Sequence, residues 1–316
     1  MSAPDLAVRL GDLHLKNPLL AASGTFGYGV EYEGLLDLSR LGGIVSKGLY
    51  LEPRDGCATP RIVETPSGLL NAIGLQGIGI RAFVRDVLPR LAAWDTAVVV
   101  NVCGDTVDEY AEVARIAGDA PGVHALEINI SCPNVEKGGI AFGGDPRMTH
   151  EVVAAVRRAT RLPVIPKLSP NDGDIAHFAR VAEEAGADAL SCINTLLGLS
   201  VDVEKRRPRL AFGTGGLSGP AIRPLAVRMA WQAARAVTIP VIGIGGISSA
   251  EDALEFLIVG CRAVQIGTAN FVDPGVYDRT LAGLTSYLER HRLAAIGDVV
   301  GTLAHPRAAP SEEVPR

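Results

Sequence analysis

Eight short apolar runs, spread along the chain and separated by helix-like stretches, restrict this sequence more than any other feature. They are "PLLAAS" (18–23), "GGIVSKG" (42–48), "TAVVVNV" (96–102), "HALEINI" (124–130), "LPVIPKL" (162–168), "DALSCIN" (188–194), "IPVIGIG" (239–245) and "CRAVQIG" (261–267). The runs are continuous, not alternating, which is the pattern of strands buried on both faces of a parallel sheet. Helical periodicity lies between them at 79–94, 108–118, 146–160, 174–186, 220–237 and 249–260, the last with Ser249 as N-cap and Gly260 as stop. Eight strands separated by helices predict an α/β fold, a (β/α)8 TIM barrel. A doubly wound sheet is the competitor, but no G-x-G-x-x-G turn opens the first helix.

A chain of 316 residues suits one large barrel or two smaller domains. It has no internal repeat and no composition break, so one domain is expected over 1–305. The Pro-rich, charged segment "PRAAPSEEVPR" (306–316) reads as a disordered tail. Aromatics are only 5% of residues against 47% hydrophobic, so the core must be built from Ala, Val, Leu and Ile. A net charge of −5 argues against nucleic acid and acidic membranes as partners.

The five cysteines form no C-x-x-C pair, as expected of a reduced, cytoplasmic chain. The six histidines include no H-x-x-x-H pair, and no metal site is expected. The first residues carry Asp and Arg where a signal peptide needs an apolar core, and no run has the length of a membrane span. Three connections, 49–78, 131–145 and 195–219, exceed what a barrel needs. Loops of that length are usually functional or carry small elements of their own.

In such a barrel the active site forms at the C-terminal ends of the strands. Read in order, those ends give Ser23, Lys47, Asn101, Asn129 with Cys132, Lys167, Asn194 with Thr195, Gly245 with Gly246, and Gly267 with Thr268. Two lysines and three asparagines in one mouth describe a pocket for a flat, polar, anionic ligand. The glycine turns after strands seven and eight are either tight strand–helix turns or a phosphate site. Lys167 reads as a snorkelling surface lysine, a Schiff-base lysine, or a fixed cation beside a ring that becomes negative; Lys47 has the same readings. "EINISCPNVEKGG" (127–139) is either a turn with a buried thiol or a site. Asn71 is placed on a loop. Cys103 and Cys192 read as core packing, Cys57 and Cys261 as without a role, and "EKRRPR" (204–209) as a solvated loop.

Several of these stretches together resemble the dihydroorotate dehydrogenases. They are "NPLLAASGTFGYGVEY" (17–32), "SKG" (46–48), "NAIGLQ" (71–76), "NISCPNVEKGG" (129–139), "PVIPKLSP" (163–170), "INTLLG" (193–198), "GGLSGPAIRPLAV" (215–227), "GIGGI" (243–247) and "QIGTA" (265–269). The likeness runs from about residue 5 to 300, in order, and "SCPNV" followed by paired glycines resembles the NAD-linked class 1B form.

The resemblance implies one FMN per chain and oxidation of dihydroorotate to orotate in pyrimidine biosynthesis. Cys132 would be the general base at C5, while the C6 hydride passes to FMN. Asn129, Asn134, Asn194 and Thr195 would hold the substrate ring, together with Asn71, Ala72, Ile73, Gly74 and Leu75. Lys47 would face the substrate carboxylate and also touch FMN. Lys167 would stand near flavin N1 and O2. Ser23, Gly48, Asn101, Asn129, Ile193 and Gly219 would line the flavin, and Gly245, Gly246, Gly267 and Thr268 its phosphate. The resemblance further implies a homodimer of catalytic chains and a partner subunit carrying FAD and a [2Fe–2S] cluster, two copies of each chain in all. The alternatives are a fumarate-linked class 1A enzyme, a related pyrimidine-reducing flavoenzyme and, more distantly, an aldolase using Lys167.

Overall fold

The computed structural model describes residues 3–130, 133–134, 140–141, 144–171 and 173–304. Leu19–Ala21, Gly43–Val45, Ala97–Val102, Ala125–Asn129, Val164–Leu168, Leu190–Cys192, Val241–Ile244 and Ala263–Ile266 pair in parallel and close into an eight-stranded barrel. Each strand falls inside one of the eight apolar runs. Their side chains are buried almost throughout, because helices cover the outside and side chains fill the interior.

Val107–Asp119, Pro146–Ala159, Ile175–Glu184, Arg223–Ala236 and Ala250–Ile258 form where helices are predicted. Ser249 Oγ accepts the Asp252 N–H at 3.2 Å, as an N-cap should. Two places differ from the sequence reading. The stretch 79–94 is a broken helix: Ile80–Ala82, a π-turn Phe83–Val87, then Leu88–Leu91. Pro89 is the cause, since it has no N–H to give the preceding turn. A sixteen-residue helix, Val276–His291, follows the last strand, where none was assigned. It buries Val276, Tyr277, Thr280, Leu281, Leu284 and Leu288 along one stripe.

All three long connections carry strands, and two of them share a sheet. Ile62–Thr65 and Gly68–Asn71 from one join Leu196–Leu199 and Thr214–Ser218 from the other in a four-stranded antiparallel sheet. The register pairs Asn71 with Gly216 and Leu70 with Leu217. Both connections leave the C-terminal ends of barrel strands, so this sheet roofs the mouth. At the opposite end a hairpin, Val8–Leu10 with Leu13–Leu15, buries Leu10, Leu13 and Leu15. Its Gly11 lies against Asp188, just before the sixth barrel strand. In the third connection Pro133–Asn134 pairs with Ile140–Ala141. Residues 306–316, expected as a tail, lie outside the described residues. Among the described residues no helix is long and apolar enough to cross a membrane.

Candidate active site

A cavity of about 560 Å³ opens between the barrel mouth and its roof. That volume lies within the roughly 300–1,000 Å³ typical of small-molecule and cofactor sites. The barrel contributes Ser23, Lys47, Gly48, Asn101, Asn129 and Lys167 from the first five strand ends. Ile193, Asn194 and Thr195 follow the sixth, Gly245 and Gly246 the seventh, Gly267 and Thr268 the eighth. The roof adds Asn71, Ala72, Ile73, Gly74 and Leu75, and Gly219, directly after the roof strand Thr214–Ser218, also lines it. Residues far apart in sequence thus meet in one cavity. Cys132 lies outside the described residues, and of Asn134 only the backbone, in its short strand, is described.

Asn71 was expected on a loop; it ends the strand Gly68–Asn71. Its Nδ2 donates to the carbonyl of Gly216, its cross-strand partner, at 3.1 Å. A carboxamide that bonds its neighbour strand is fixed before any ligand arrives. Asn194 is held similarly: its Oδ1 accepts the Thr195 N–H at 2.8 Å, and its Nδ2 reaches Asn129 Oδ1 at 3.4 Å. Tyr110 donates its hydroxyl to the Asn129 carbonyl at 2.6 Å. Carboxamides offer both donors and acceptors, so a planar ring with alternating C=O and N–H groups suits them.

Lys47 and Lys167 differ in setting. Lys47 is half-buried, and burial first, then the Arg61 guanidinium, lowers its pKa from 10.5. Arg61 also lines the cavity and donates to Gln76 Oε1 at 2.7 Å. Lys167 is only 4% exposed. Its Nζ lies 3.2 Å from Ser23 Oγ and 3.5 Å from Glu127 Oε1. A lysine ion-paired to a buried carboxylate is arranged as a fixed cation, whereas a Schiff-base lysine needs a free amine.

Glu127 is fully buried and accepts from Asn101 Nδ2 at 2.7 Å, Ser191 Oγ at 2.8 Å and Gln265 Nε2 at 2.6 Å. Burial alone would raise this carboxyl. Lys167 and the three side-chain donors outweigh that and bring it below its ordinary value. The sequence reading passed over Glu127, Ser191 and Gln265. One signal was available: each is a polar residue in the middle of an otherwise apolar strand run. Arg61, Asn171 and Ser218 also line the cavity unforeseen, because loop sequence gives no clue to which way a side chain faces.

The glycine turn after the seventh strand is sterically required. At Gly246, φ is 79° and an added Cβ would come within 2.8 Å of the Gly219 carbonyl oxygen and of Arg223 Cβ. At Gly48 it would meet Cys103 Sγ at 2.8 Å. Burial pushes the Cys192 thiol up to about 12 and that of Cys261 well above its ordinary value, so both are packing residues.

The family model described as dihydroorotate dehydrogenase matches residues 5–288. The catalytic subunit of dihydroorotate dehydrogenase B (NAD(+)) from Geotalea daltonii is 54% identical over 303 residues, covering 96% of this chain and 99% of that protein. The subunit of the same name from Trichlorobacter lovleyi is 55% identical over 300 residues, 95% of this chain and 99% of its own length. That from Bacteroides thetaiotaomicron is 50% identical over 299 residues, with the same shares.

Proposed function

The chain belongs to the dihydroorotate dehydrogenase family, and from that premise we propose that it is the catalytic subunit of an NAD-linked enzyme oxidising dihydroorotate to orotate in pyrimidine biosynthesis. The observation that carries this is the single cavity uniting Lys47, Lys167, Asn71, Asn129 and Asn194 with the glycine turns after the seventh and eighth strands.

The donor set suits FMN. A buried, carboxylate-held Lys167 fits the N1 and O2 edge of the ring. Gly245, Gly246, Gly267 and Thr268, at the strand ends where barrels often hold phosphate, fit its phosphate group. When bound, FMN supplies the acceptor for the hydride leaving C6. Everything else falls to the chain. Asn71, Asn129, Asn194 and Asn134 hold the substrate ring through paired donors and acceptors, with Thr195 beside them. Lys47 neutralises the substrate carboxylate. Cys132 takes the proton from C5, which is acidic because it is α to a carbonyl. The roof strands bearing Asn71 exclude water.

Electrons leave for NAD through a partner subunit carrying FAD and a [2Fe–2S] cluster, in an assembly with two copies of each chain. The catalytic chains pair with one another. Leu199 on one roof strand, 59% exposed, with Val203 and Phe212 of the same connection at 76% and 69%, supply apolar side chains suited to that pairing.

The test mixes the purified, yellow chain with dihydroorotate without oxygen and follows the flavin absorbance. Bleaching, with FMN as the released flavin, is expected. A flavin-free chain, or one whose flavin dihydroorotate leaves oxidised, refutes the reading.

A further inference from the structure

Glu127 has no part in the chemistry above, yet the barrel holds its charge at its centre. A leucine would fill this space without burying an ion, and a buried ion pair seldom stabilises a fold more than well-packed apolar residues. The network is directional. Glu127, Ser191 and Gln265 lie behind the cavity wall, and Lys167 stands in that wall with its ammonium against Glu127 Oε1 at 3.5 Å. Gln265 Nε2 bonds both Glu127 and Ser191 Oγ, so the carboxylate cannot swing away from the lysine.

We propose that Glu127 is a positioning residue that fixes Lys167 and offsets its charge, so that a bound flavin lies against an ion pair and not a bare cation. The inference rests on the FMN reading of the cavity. A flavin gains negative charge on its N1–C2–O2 edge when it accepts two electrons. A bare cation there would make the flavin a stronger oxidant and slower to pass electrons on. The ion pair keeps the hydrogen-bond donor while moderating the field, which suits a chain whose electrons must go on to an acceptor.

The substitution that removes only the charge is Glu127→Gln. The barrel can accept it, because Gln265 Oε1 has no hydrogen-bond partner among the described residues and, with its amide turned over, would receive the new N–H. Sulfite is the probe: its lone pair adds to flavin N5 and leaves negative charge on the same N1–O2 edge. With the FMN-loaded chain, Glu127→Gln should bind sulfite about tenfold more tightly. That corresponds to about 30 mV upward in a dye-equilibrated two-electron potential. Ser191→Ala, which removes a hydrogen bond but no charge, and Glu127→Asp, which keeps the charge, should both stay within about twofold of the parent.

Structural damage loosens the flavin and weakens sulfite binding, so tightening is the signature of the lost charge. Sulfite affinity that is unchanged or weaker in flavin-bound Glu127→Gln overturns the inference and leaves the functional reading intact. A parent chain without flavin overturns both. Should Glu127→Gln lose its flavin, the neutral pair Glu127→Gln/Lys167→Gln is compared with Lys167→Gln. Tighter sulfite binding in the double variant supports the role, and equal binding overturns it.

Discussion

Replacing Lys47 with alanine should weaken orotate binding to the oxidised enzyme about thirtyfold. The side chain is half-buried in the cavity wall, and both its burial and the neighbouring Arg61 disfavour its charge. An anionic ligand relieves that penalty. Hydrogen bonds to charged groups contribute roughly 1.5–3 kcal/mol. Because Lys47 remains half open to solvent, a figure of about 2 kcal/mol is appropriate, and that is about thirtyfold in affinity. The pH dependence gives a second check. In the free protein the Lys47 pKa lies below 10.5. A bound carboxylate favours the protonated form and raises it. Orotate affinity should therefore be flat near neutrality and fall by up to tenfold per unit as the pH rises through the free-protein value, below pH 10.5. In Lys47→Ala that decline should vanish. Orotate titrations followed through the flavin spectrum, from neutral pH to about 10, give both quantities. An affinity loss under about threefold, or a decline that persists unchanged in the variant, refutes the assignment of the carboxylate to Lys47.

Three further outcomes are expected. Cys132→Ser should slow flavin reduction by dihydroorotate about 10²–10⁴-fold at neutral pH while FMN stays bound, because a hydroxyl is a far weaker acid than a thiol; unchanged rapid-mixing traces would remove Cys132 from the base role. Gly246→Ala forces a left-handed residue into contact with the Gly219 carbonyl, at about 1–2 kcal/mol from backbone conformation alone. It should lower the flavin-to-protein ratio and the Tm by about 3 °C, whereas full flavin content at the parental Tm contradicts the packing argument. The chain alone should form NADH poorly and gain strongly from the iron–sulfur flavoprotein partner. Brisk NADH formation without the partner, or efficient fumarate turnover, argues for a different acceptor.

The barrel was legible because strands buried on both faces leave an unmistakable trace, a continuous apolar run, and all eight left it. Much of the cavity wall was legible for a related reason: a polar residue directly after such a run has to stand at the mouth. The roof was not. Its strands are short, and the pairing that joins its two halves spans well over a hundred residues, as with Asn71 and Gly216. Pairing at that distance has no local signature, so Asn71 read as a loop residue. Glu127 was passed over because a charge inside an apolar run looks like an interruption until its partners on three other strands are seen. The helix Val276–His291 carries a readable stripe, Tyr277, Leu281, Leu284 and Leu288, but it lies beyond the last strand, where the strand pattern calls for no further element.

The roof sheet has a consequence for how this site can change. In many barrels each loop above the mouth varies on its own, and chemistries diversify one loop at a time. Here residues 62–71 and 196–218 share a hydrogen-bonded register. Inserting one residue within the strand Gly68–Asn71 would reverse which of its side chains face the cavity and turn Asn71 toward solvent. Length changes inside the paired strands are therefore tolerated only where that register is kept. The two segments travel as a single cassette, and transplanting this site into another barrel would require moving both at once.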